Sequence, residues 1–123
     1  MTDSTPRAVQ IAQAYHRAWA DKDLDLVMSF VADDIICDAP AGRIEGADEY
    51  RAFLRPFFKL LKRAELMAHF GDEESALLMY DTVTVLAPSG PACEYITVED
   101  ERINYIRLIF DRAPFQAAVQ LAA

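Results

Sequence analysis

The pattern of apolar and polar positions predicts helices in the first half of the chain. Thr5-Pro6 is typical of a helix start, since threonine caps helices well and proline suits the first helical position. The apolar positions that follow at helical spacing are Ala8, Ile11, Ala12, Tyr15, Ala18 and Trp19. Asp23 can cap a second, shorter helix that ends before Asp33-Asp34. The apolar face of this helix comprises Leu24, Val27, Met28 and Val31.

A third helix is predicted after Gly46, where the helical signal is strongest. Its apolar positions are Tyr50, Phe53, Leu54, Phe57, Phe58 and Leu61. Pro56 lies inside this pattern, and a proline removes one backbone hydrogen bond and crowds the preceding turn. We therefore expect a kink or a break near residues 53–55.

Segments with a period of two predict strands in the rest of the chain. Residues 35–39 are rich in branched and apolar side chains and stop at Pro40, which predicts a short strand that carries one acid, Asp38. Further strands are predicted at residues 65–70, 75–87, 92–98 and 102–110. Helices followed by antiparallel strands indicate an α+β domain, in which a curved, mostly antiparallel sheet wraps around three helices and encloses an apolar pocket.

Length and composition narrow the class of protein. A chain of 123 residues without a linker predicts one domain, with a core of about residues 6–115 and an alanine-rich tail at residues 116–123. Hydrophobic residues make up 53% and charged residues 26%, which excludes a disordered chain and a membrane span. The net charge of −8 repels phosphate backbones and anionic lipids, so we expect neither nucleic acid nor a membrane as partner. The amino terminus shows no secretory signal pattern, which predicts a cytoplasmic protein.

Residue types that hold metals or cofactors are sparse. Cys37 and Cys93 lie in apolar stretches without the spacing of a zinc site, and we expect both thiols to be reduced and buried. The two histidines, His16 and His69, stand in no ligand-spaced cluster. Neither a glycine-rich phosphate loop nor a nucleophile motif is present. We therefore expect no metal and no cofactor, and we expect His16 at the helix surface.

The order of these elements resembles the nuclear-transport-factor-2-like superfamily, specifically its SnoaL-like branch. The segments that carry the resemblance are AYHRAW, FVADDIICDAP, GRIEGADEYRAF and ITVEDERINYIRLIFDRAPF. It covers residues 9–115 and implies a cone-shaped domain with a pocket for a small apolar molecule. It does not imply one activity, because the superfamily includes cyclases, isomerases, dehydratases, epoxide hydrolases and non-catalytic binding domains.

Tyr15 and Glu94 are the candidates for a pair of hydrogen-bond donors. Tyr15 lies on the apolar face of the first helix, where its hydroxyl either packs locally or points into a pocket. Glu94 lies between apolar neighbours in CEYITV, so it needs a partner or becomes protonated, unless an edge strand leaves it in water. The chain is similar to ketosteroid isomerases, which implies an oxyanion-binding tyrosine at Tyr15 and a protonated acid at Glu94.

The general base is where that similarity departs from the isomerase pattern. The alignment with the isomerase pattern places Ala39 at the position of the proton-abstracting aspartate, with Asp38 one residue earlier. A shift of one residue along a strand turns a side chain to the opposite face. Asp38 is therefore a catalytic candidate only if a bulge turns it inward, and otherwise it is a surface acid.

The other candidate site residues fall into two sets. The expected lining of the pocket is Trp19, Phe53, Phe57, His69, Ile106, Leu108 and Phe110. An alternative polar set is Asp81, Arg107 and Asp111, in which a guanidinium holds two carboxylates that activate water, as in epoxide hydrolases of the superfamily. A structural salt bridge on the outer face of the sheet is the competing interpretation of this set.

Three functions stay open at this point. The first is binding of a small apolar or aromatic metabolite, with acid–base chemistry of the cyclase or isomerase type. The second is a non-catalytic ligand-binding or dimerisation module, and the third is a hydrolase or hydratase that uses the alternative polar set. Whether the protein is an enzyme is thus undecided by its sequence.

A homodimer is expected in each case. The predicted fourth strand is apolar on both faces, with Leu77, Met79, Val83 and Val85 on one and Leu78, Tyr80 and Leu86 on the other. Helices can cover only one face of the sheet, so we expect its outer face to form the dimer interface.

Overall fold

Three helices and six strands make up residues 4–114, the part of the chain that the computed structural model describes. Their order is α1 (Arg7–Ala20), α2 (Leu24–Ser29), β1 (Val31–Ala39), β2 (Gly42–Glu45), α3 (Ala47–Leu60), β3 (Leu61–Gly71), β4 (Ser75–Thr84), β5 (Gly90–Glu99) and β6 (Arg102–Phe110). No helix within residues 4–114 is long and apolar enough to span a membrane. The predicted tail at residues 116–123 lies outside the described residues.

The strands form one sheet in the order β2-β1-β6-β5-β4-β3. Neighbouring strands are antiparallel except β1 and β6, which are parallel. The register shifts within β3, near the start of β6 and along β1, and such irregularities bend a strand and increase its twist. The sheet is curved and open, and the expected α+β architecture is confirmed.

Helices α1 and α3 cover one side of this sheet and α2 packs against both of them, so the sheet has an inner and an outer face. Helix α1 lies against β3, β4 and β5, and α3 lies against β1 and β2. Strand β4 shows the resulting alternation, because Leu78 and Tyr80 are buried whereas Leu77 and Met79 are exposed. The core therefore lies between the inner face and the helices.

Several boundaries differ from the expected ones for local reasons. Helix α2 has the expected Asp23 cap, whose side chain accepts a hydrogen bond from the Leu26 amide, but it ends at Ser29, and Val31 begins β1. Strand β4 ends at Thr84, because the Thr84 hydroxyl accepts hydrogen bonds from two amides of the following turn. Strand β3 begins directly at Leu61, where the backbone becomes extended after α3.

Strand β2 was not expected. Three of its four residues are exposed, so it lacks the apolar alternation that marks a strand in a sequence. It pairs with β1 in a hairpin in which Cys37 lies opposite Ile44. Pairing with a longer strand therefore forms β2, rather than burial of its own side chains.

Pro56 does not break α3. The helix continues from Ala47 to Leu60 with the proline inside it. Proline at this position deprives the Ala52 carbonyl of its usual donor. Both residues are exposed, so water can replace the missing hydrogen bond.

Replacement of Leu78 by Ala should lower the free energy of unfolding by about 2–5 kcal/mol, because a fully buried side chain leaves a cavity. The same replacement at Leu26, which is 46% exposed on α2, should change it by less than about 0.5 kcal/mol. Urea unfolding at one protein concentration measures both values. Equal losses in the two variants would contradict the assignment of the inner face.

Candidate functional site

Helix α1 brings three side chains with polar atoms into the core. Tyr15 and Trp19 are one turn apart and share a face of the helix, and His16 lies between them in sequence. All three are buried, and His16 is only 6% exposed. The surface position expected for His16 is wrong, because α1 lies flat on three strands and buries a wide part of its circumference.

Glu94 lies on the inner face of β5 and is 3% exposed. It pairs across the strands with Leu78, which makes it a diagonal neighbour of Tyr80 on the same face. The Tyr80 hydroxyl donates a hydrogen bond of 2.5 Å to Glu94 Oε1. The buried acid is therefore held by Tyr80, a residue that the sequence pattern placed in the apolar core.

Burial raises the pKa of Glu94 from its ordinary 4.5 to about 7, because removal from water penalises the carboxylate. Hydrogen bonding to the hydroxyls of Tyr80 and Tyr15 offsets part of this effect. The acid is therefore largely neutral below pH 7 and can donate a proton in a hydrogen bond.

Tyr15 and Tyr50 join their hydroxyls in a hydrogen bond at the interface of α1 and α3. Burial raises the pKa of both phenols well above the ordinary value, and the nearby Glu94 raises them further. The same two causes act on Tyr80, in the same order. All three phenols thus stay protonated and remain hydrogen-bond donors.

Three buried polar atoms near Tyr80 have no hydrogen-bond partner within residues 4–114. They are His16 Nε2, Trp19 Nε1 and Glu94 Oε2. The ring of Tyr80 is 4.9 Å from the ring of His16 and 5.5 Å from that of Trp19, and its hydroxyl contacts the carboxyl group of Glu94. Leaving one such atom unpaired costs about 1–3 kcal/mol, so these three atoms are polar groups that the described part of the core leaves uncompensated.

The walls around these polar atoms are aromatic and aliphatic. The ring of Trp19 lies 5.3 Å from that of Phe57 and 5.2 Å from that of Phe58. Phe53 stacks on Tyr50 at 6.2 Å. The members of the expected lining that belong to the core or pack against it are Trp19, Phe53, Phe57, Ile106, Leu108 and Phe110.

Two other features lie apart from this cluster. His69 is exposed on β3 and hydrogen-bonds Gln13 of α1 at 3.0 Å, so it lies at the rim and not in the expected lining. An open groove of about 490 Å³ lies where β1 begins and β5 ends. Its lining is Ala32, Asp33, Asp34, Glu99, Asp100, Arg102 and Asn104. This acidic groove contains none of the candidate site residues.

The model of the SnoaL-like domain family matches residues 12–106, which is more than half of the chain. The chain belongs to the SnoaL-like family. Its fold is that of nuclear-transport-factor-2-like proteins. No curated protein matches the chain.

Solved structures extend this relationship. A protein from Kribbella flavida DSM 17836 is 51% identical, with a TM-score of 0.90, over 94% of this chain and 96% of that one. An LEH-like epoxide hydrolase from M. tuberculosis is 20% identical, with a TM-score of 0.72, over 93% and 90%. A proposed polyketide cyclase from Xanthomonas campestris pv. campestris is 21% identical, with a TM-score of 0.73, over 92% and 96%. The two distant structures share the SnoaL-like fold and indicate nothing finer.

Asp38 faces outward in this SnoaL-like domain, so it is not placed as the base of the inner site. No register shift occurs at Asp38, and Cys37 next to it points into the core. The carboxylate accepts two hydrogen bonds from Arg43, at 2.8 and 3.0 Å, and one from the Tyr105 hydroxyl at 2.7 Å. The Arg43 guanidinium, followed by Tyr105, lowers the pKa of Asp38 to about 2.

The alternative polar set is not brought together. Asp81 lies opposite Pro91 and accepts hydrogen bonds from the β4–β5 turn, whereas Arg107 lies opposite Tyr95, four residues further along β5. Arg107 approaches Asp38 instead, at 3.9 Å. The Asp111 carboxylate accepts a hydrogen bond from a backbone amide two residues later. This SnoaL-like domain thus lacks that water-activating arrangement among its described residues.

Tyr50, Tyr80 and His16 are the members of the cluster that were missing from the candidates. The apolar pattern included both tyrosines, but only as core positions. A tyrosine hydroxyl on an inward face needs a polar partner, and this requirement was the available signal. Identifying Glu94 as the partner of Tyr80 requires the register between β4 and β5.

Stability should depend on pH through Glu94. Folding raises its pKa from 4.5 to about 7, so the native state binds this proton more tightly than the unfolded state. The resulting stabilisation, up to about 3 kcal/mol, is fully present below pH 4.5 and is lost as the pH rises through about 7. Glu94→Gln should not show this loss. Urea unfolding of both proteins between these pH values measures the difference, and parallel curves would contradict a buried, titrating Glu94.

Proposed function

We propose that this SnoaL-like domain binds a small apolar or aromatic molecule through an oxygen atom that accepts a hydrogen bond from Glu94. The observation that carries the proposal is that only one of the two carboxyl oxygens of Glu94 has a hydrogen-bond partner within residues 4–114. Oε1 accepts the Tyr80 hydroxyl, and Oε2 is buried without a partner. A neutral Glu94 therefore carries its proton on Oε2, where it can be donated to a ligand.

The surroundings favour an uncharged ligand or one that becomes anionic during a reaction. The buried polar or charged residues within residues 4–114 are His16, Thr82, Thr84 and Glu94, so no lysine or arginine is available there to bind a fixed anion. The Trp19 N–H is a second unpaired buried donor, and its ring lies 5.5 Å from that of Tyr80. A carbonyl or phenol on an apolar ring system meets both the donors and the aromatic walls.

The same donors support acid–base chemistry of the cyclase or isomerase type. When a proton leaves the carbon next to a carbonyl group, negative charge develops on the oxygen. Fixed neutral donors in a dry site stabilise that charge without reorganisation of solvent. Tyr15 supports the arrangement, because its hydroxyl lies near Glu94 and stays protonated.

A non-catalytic binding module is the alternative, and one observation favours it. Ala39 occupies the position where the isomerase pattern has its aspartate, and Asp38 faces the outer side of the sheet. A site with donors and no base would bind the same molecules and release them unchanged. Ligand binding alone therefore does not separate the two functions.

We also propose that a second copy of the chain covers the outer face. The outer patch consists of Phe70, Leu77, Met79, Cys93, Tyr95 and Ile109, which are cross-strand neighbours on β3 to β6. Most of these side chains are large, apolar and more than 40% exposed. Two copies that each carry a net charge of −8 repel one another, and the uncharged patch is where they can meet at least cost.

Para-nitrophenol tests the donor site, because it ionises near neutral pH and its phenolate absorbs visible light. The complex holds one proton between Glu94 and the phenol oxygen. Affinity should therefore rise as the phenol ionises and fall again as Glu94 ionises above about pH 7. Glu94→Gln keeps a donor that does not titrate, so the fall at high pH should disappear. Calorimetric titration across this pH range measures both profiles.

Tyr15→Phe should weaken the same binding by about 1–3 kcal/mol, through loss of one donor in a buried site. Tyr105→Phe is the matched control, since this hydroxyl bonds Asp38 on the outer face and should not affect the affinity. Identical pH profiles for the wild type and Glu94→Gln, or an equal loss in Tyr105→Phe, would rule out the proposed donor site.

Sedimentation at micromolar concentration should show a dimer. Leu77→Glu places a charge in the centre of the outer patch and should give a folded monomer. Leu26→Glu changes an equally exposed leucine on α2 and should leave the dimer intact. A wild-type monomer at this concentration would show that the outer patch does not bind a second copy.

A further inference from the structure

His16 is a buried, unpaired histidine next to the proposed donor site. Its Nε2 atom has no hydrogen-bond partner within the described part of the chain, and the residue is more than nine-tenths buried. Its ring lies 4.9 Å from Tyr80, whose hydroxyl binds Glu94, and 6.3 Å from Trp19. The donor chemistry proposed above makes no use of His16.

The groups around His16 leave its lone pair available. The ionisable residues that face this part of α1 are Tyr80 from β4, Glu94 from β5 and His69 from β3, which is held by Gln13 one turn earlier. Helix α2 presents the apolar Val27. None of these residues forms an ion pair with His16. A neutral imidazole in such a place can accept a proton from a bound molecule.

We propose that His16 is the general base of this site and performs the proton transfer for which the isomerase pattern uses an aspartate at the position of Ala39. The inference rests on the proposed function, because it needs a substrate whose oxygen is held by Glu94. The substrate class is a small apolar molecule with an acidic C–H next to a carbonyl group. His16 contacts the ring of Tyr80 from α1, and Glu94 accepts a hydrogen bond from the Tyr80 hydroxyl from β5, so both proposed groups meet at this tyrosine.

The proton and electron balance of the step is simple. In the tautomer that carries its hydrogen on Nδ1, the Nε2 lone pair takes the proton from carbon, and the C–H electron pair becomes the new carbon–carbon double bond of an enolate. The carbonyl π electrons move to oxygen, which accepts a hydrogen bond from the Glu94 carboxyl group. Where a carbon–carbon double bond follows that carbon in the substrate, the enolate is a dienolate. The imidazolium then returns the proton to the far carbon atom of the dienolate, which moves the double bond into conjugation with the carbonyl group and completes an isomerisation.

Burial prepares both partners for this exchange. It lowers the pKa of His16 below its ordinary value, so the imidazole is neutral at neutral pH. It raises the pKa of Glu94 to about 7, so the carboxyl group keeps its proton in the same range. The same loss of water thus gives a neutral base beside a neutral acid.

Nitrobenzisoxazole provides a test that does not require the natural substrate. A base removes its ring C–H proton, the electron pair forms a nitrile, the N–O bond breaks, and the released phenolate is measured by absorbance. The phenolate oxygen becomes negative in this step, so the donor site should assist it. The rate in the wild type should rise with pH as His16 loses its proton and fall above about pH 7 as Glu94 ionises.

His16→Gln should lower this rate by about 100-fold or more and abolish the rise at low pH, because the amide cannot take the proton. Its affinity for para-nitrophenol should change only a few-fold, since Glu94 is intact. Added imidazole should restore part of the rate in His16→Ala. Arg17→Gln, a change in the exposed neighbour on α1, should match the wild type.

The outcomes separate the two proposals. Suppose that para-nitrophenol binds with the expected dependence on Glu94, but His16→Gln converts nitrobenzisoxazole as fast as the wild type. His16 is then not the base, and the donor site stands. A wild-type rate that rises through pH 7 would identify the Glu94 carboxylate as the base and overturn the role of His16. If para-nitrophenol does not bind, the proposed function itself fails.

Discussion

The buried carboxyl group of Glu94 is the constraint around which the inner site is organised. An acid on the inner face of a sheet cannot stay charged without strong partners, and this core supplies hydroxyl groups in place of cations. The tyrosines at the site come from β4, α1 and α3, so the packing of both long helices is tied to one polar group. Burying this carboxyl group costs free energy of desolvation. An aliphatic residue at position 94 would pack in the core without that cost.

The two faces of the sheet follow from the same alternation of side chains. Cys37 and Asp38 are adjacent in sequence, yet the first lies in the core and the second lies in a cluster with Arg43 and Tyr105. Asp38, the acid next to the position of the isomerase base, is therefore separated from the inner site by the thickness of the sheet. Proximity in a sequence alignment is a poor guide to chemistry on a strand, where one position changes the face.

The sequence predicted the fold well because its strongest signals are periodic. The apolar spacing in α1 and α3, the Asp23 cap and the alternation in β4 each depend on neighbours within a few residues. The same alternation put Glu94 on the face of Ile96 and Val98 but left an edge-strand position in water open, and the structure buries it. The Tyr80 partner, the burial of His16 and the separation of Asp81 from Arg107 depend on register and helix docking, which no local pattern encodes. Strand β2 exists only through its pairing with β1, so its own residues carried little signal.

The parallel pairing of β1 with β6 has a consequence for synthesis on the ribosome. These strands lie side by side in the sheet, but about seventy residues separate them in the chain, as in the pair Cys37 and Ile106. Strand β1 can form its hairpin with β2 early, but its other edge stays open until nearly the whole domain has been translated. Non-local pairing of this kind slows folding and leaves a strand edge exposed in the nascent chain.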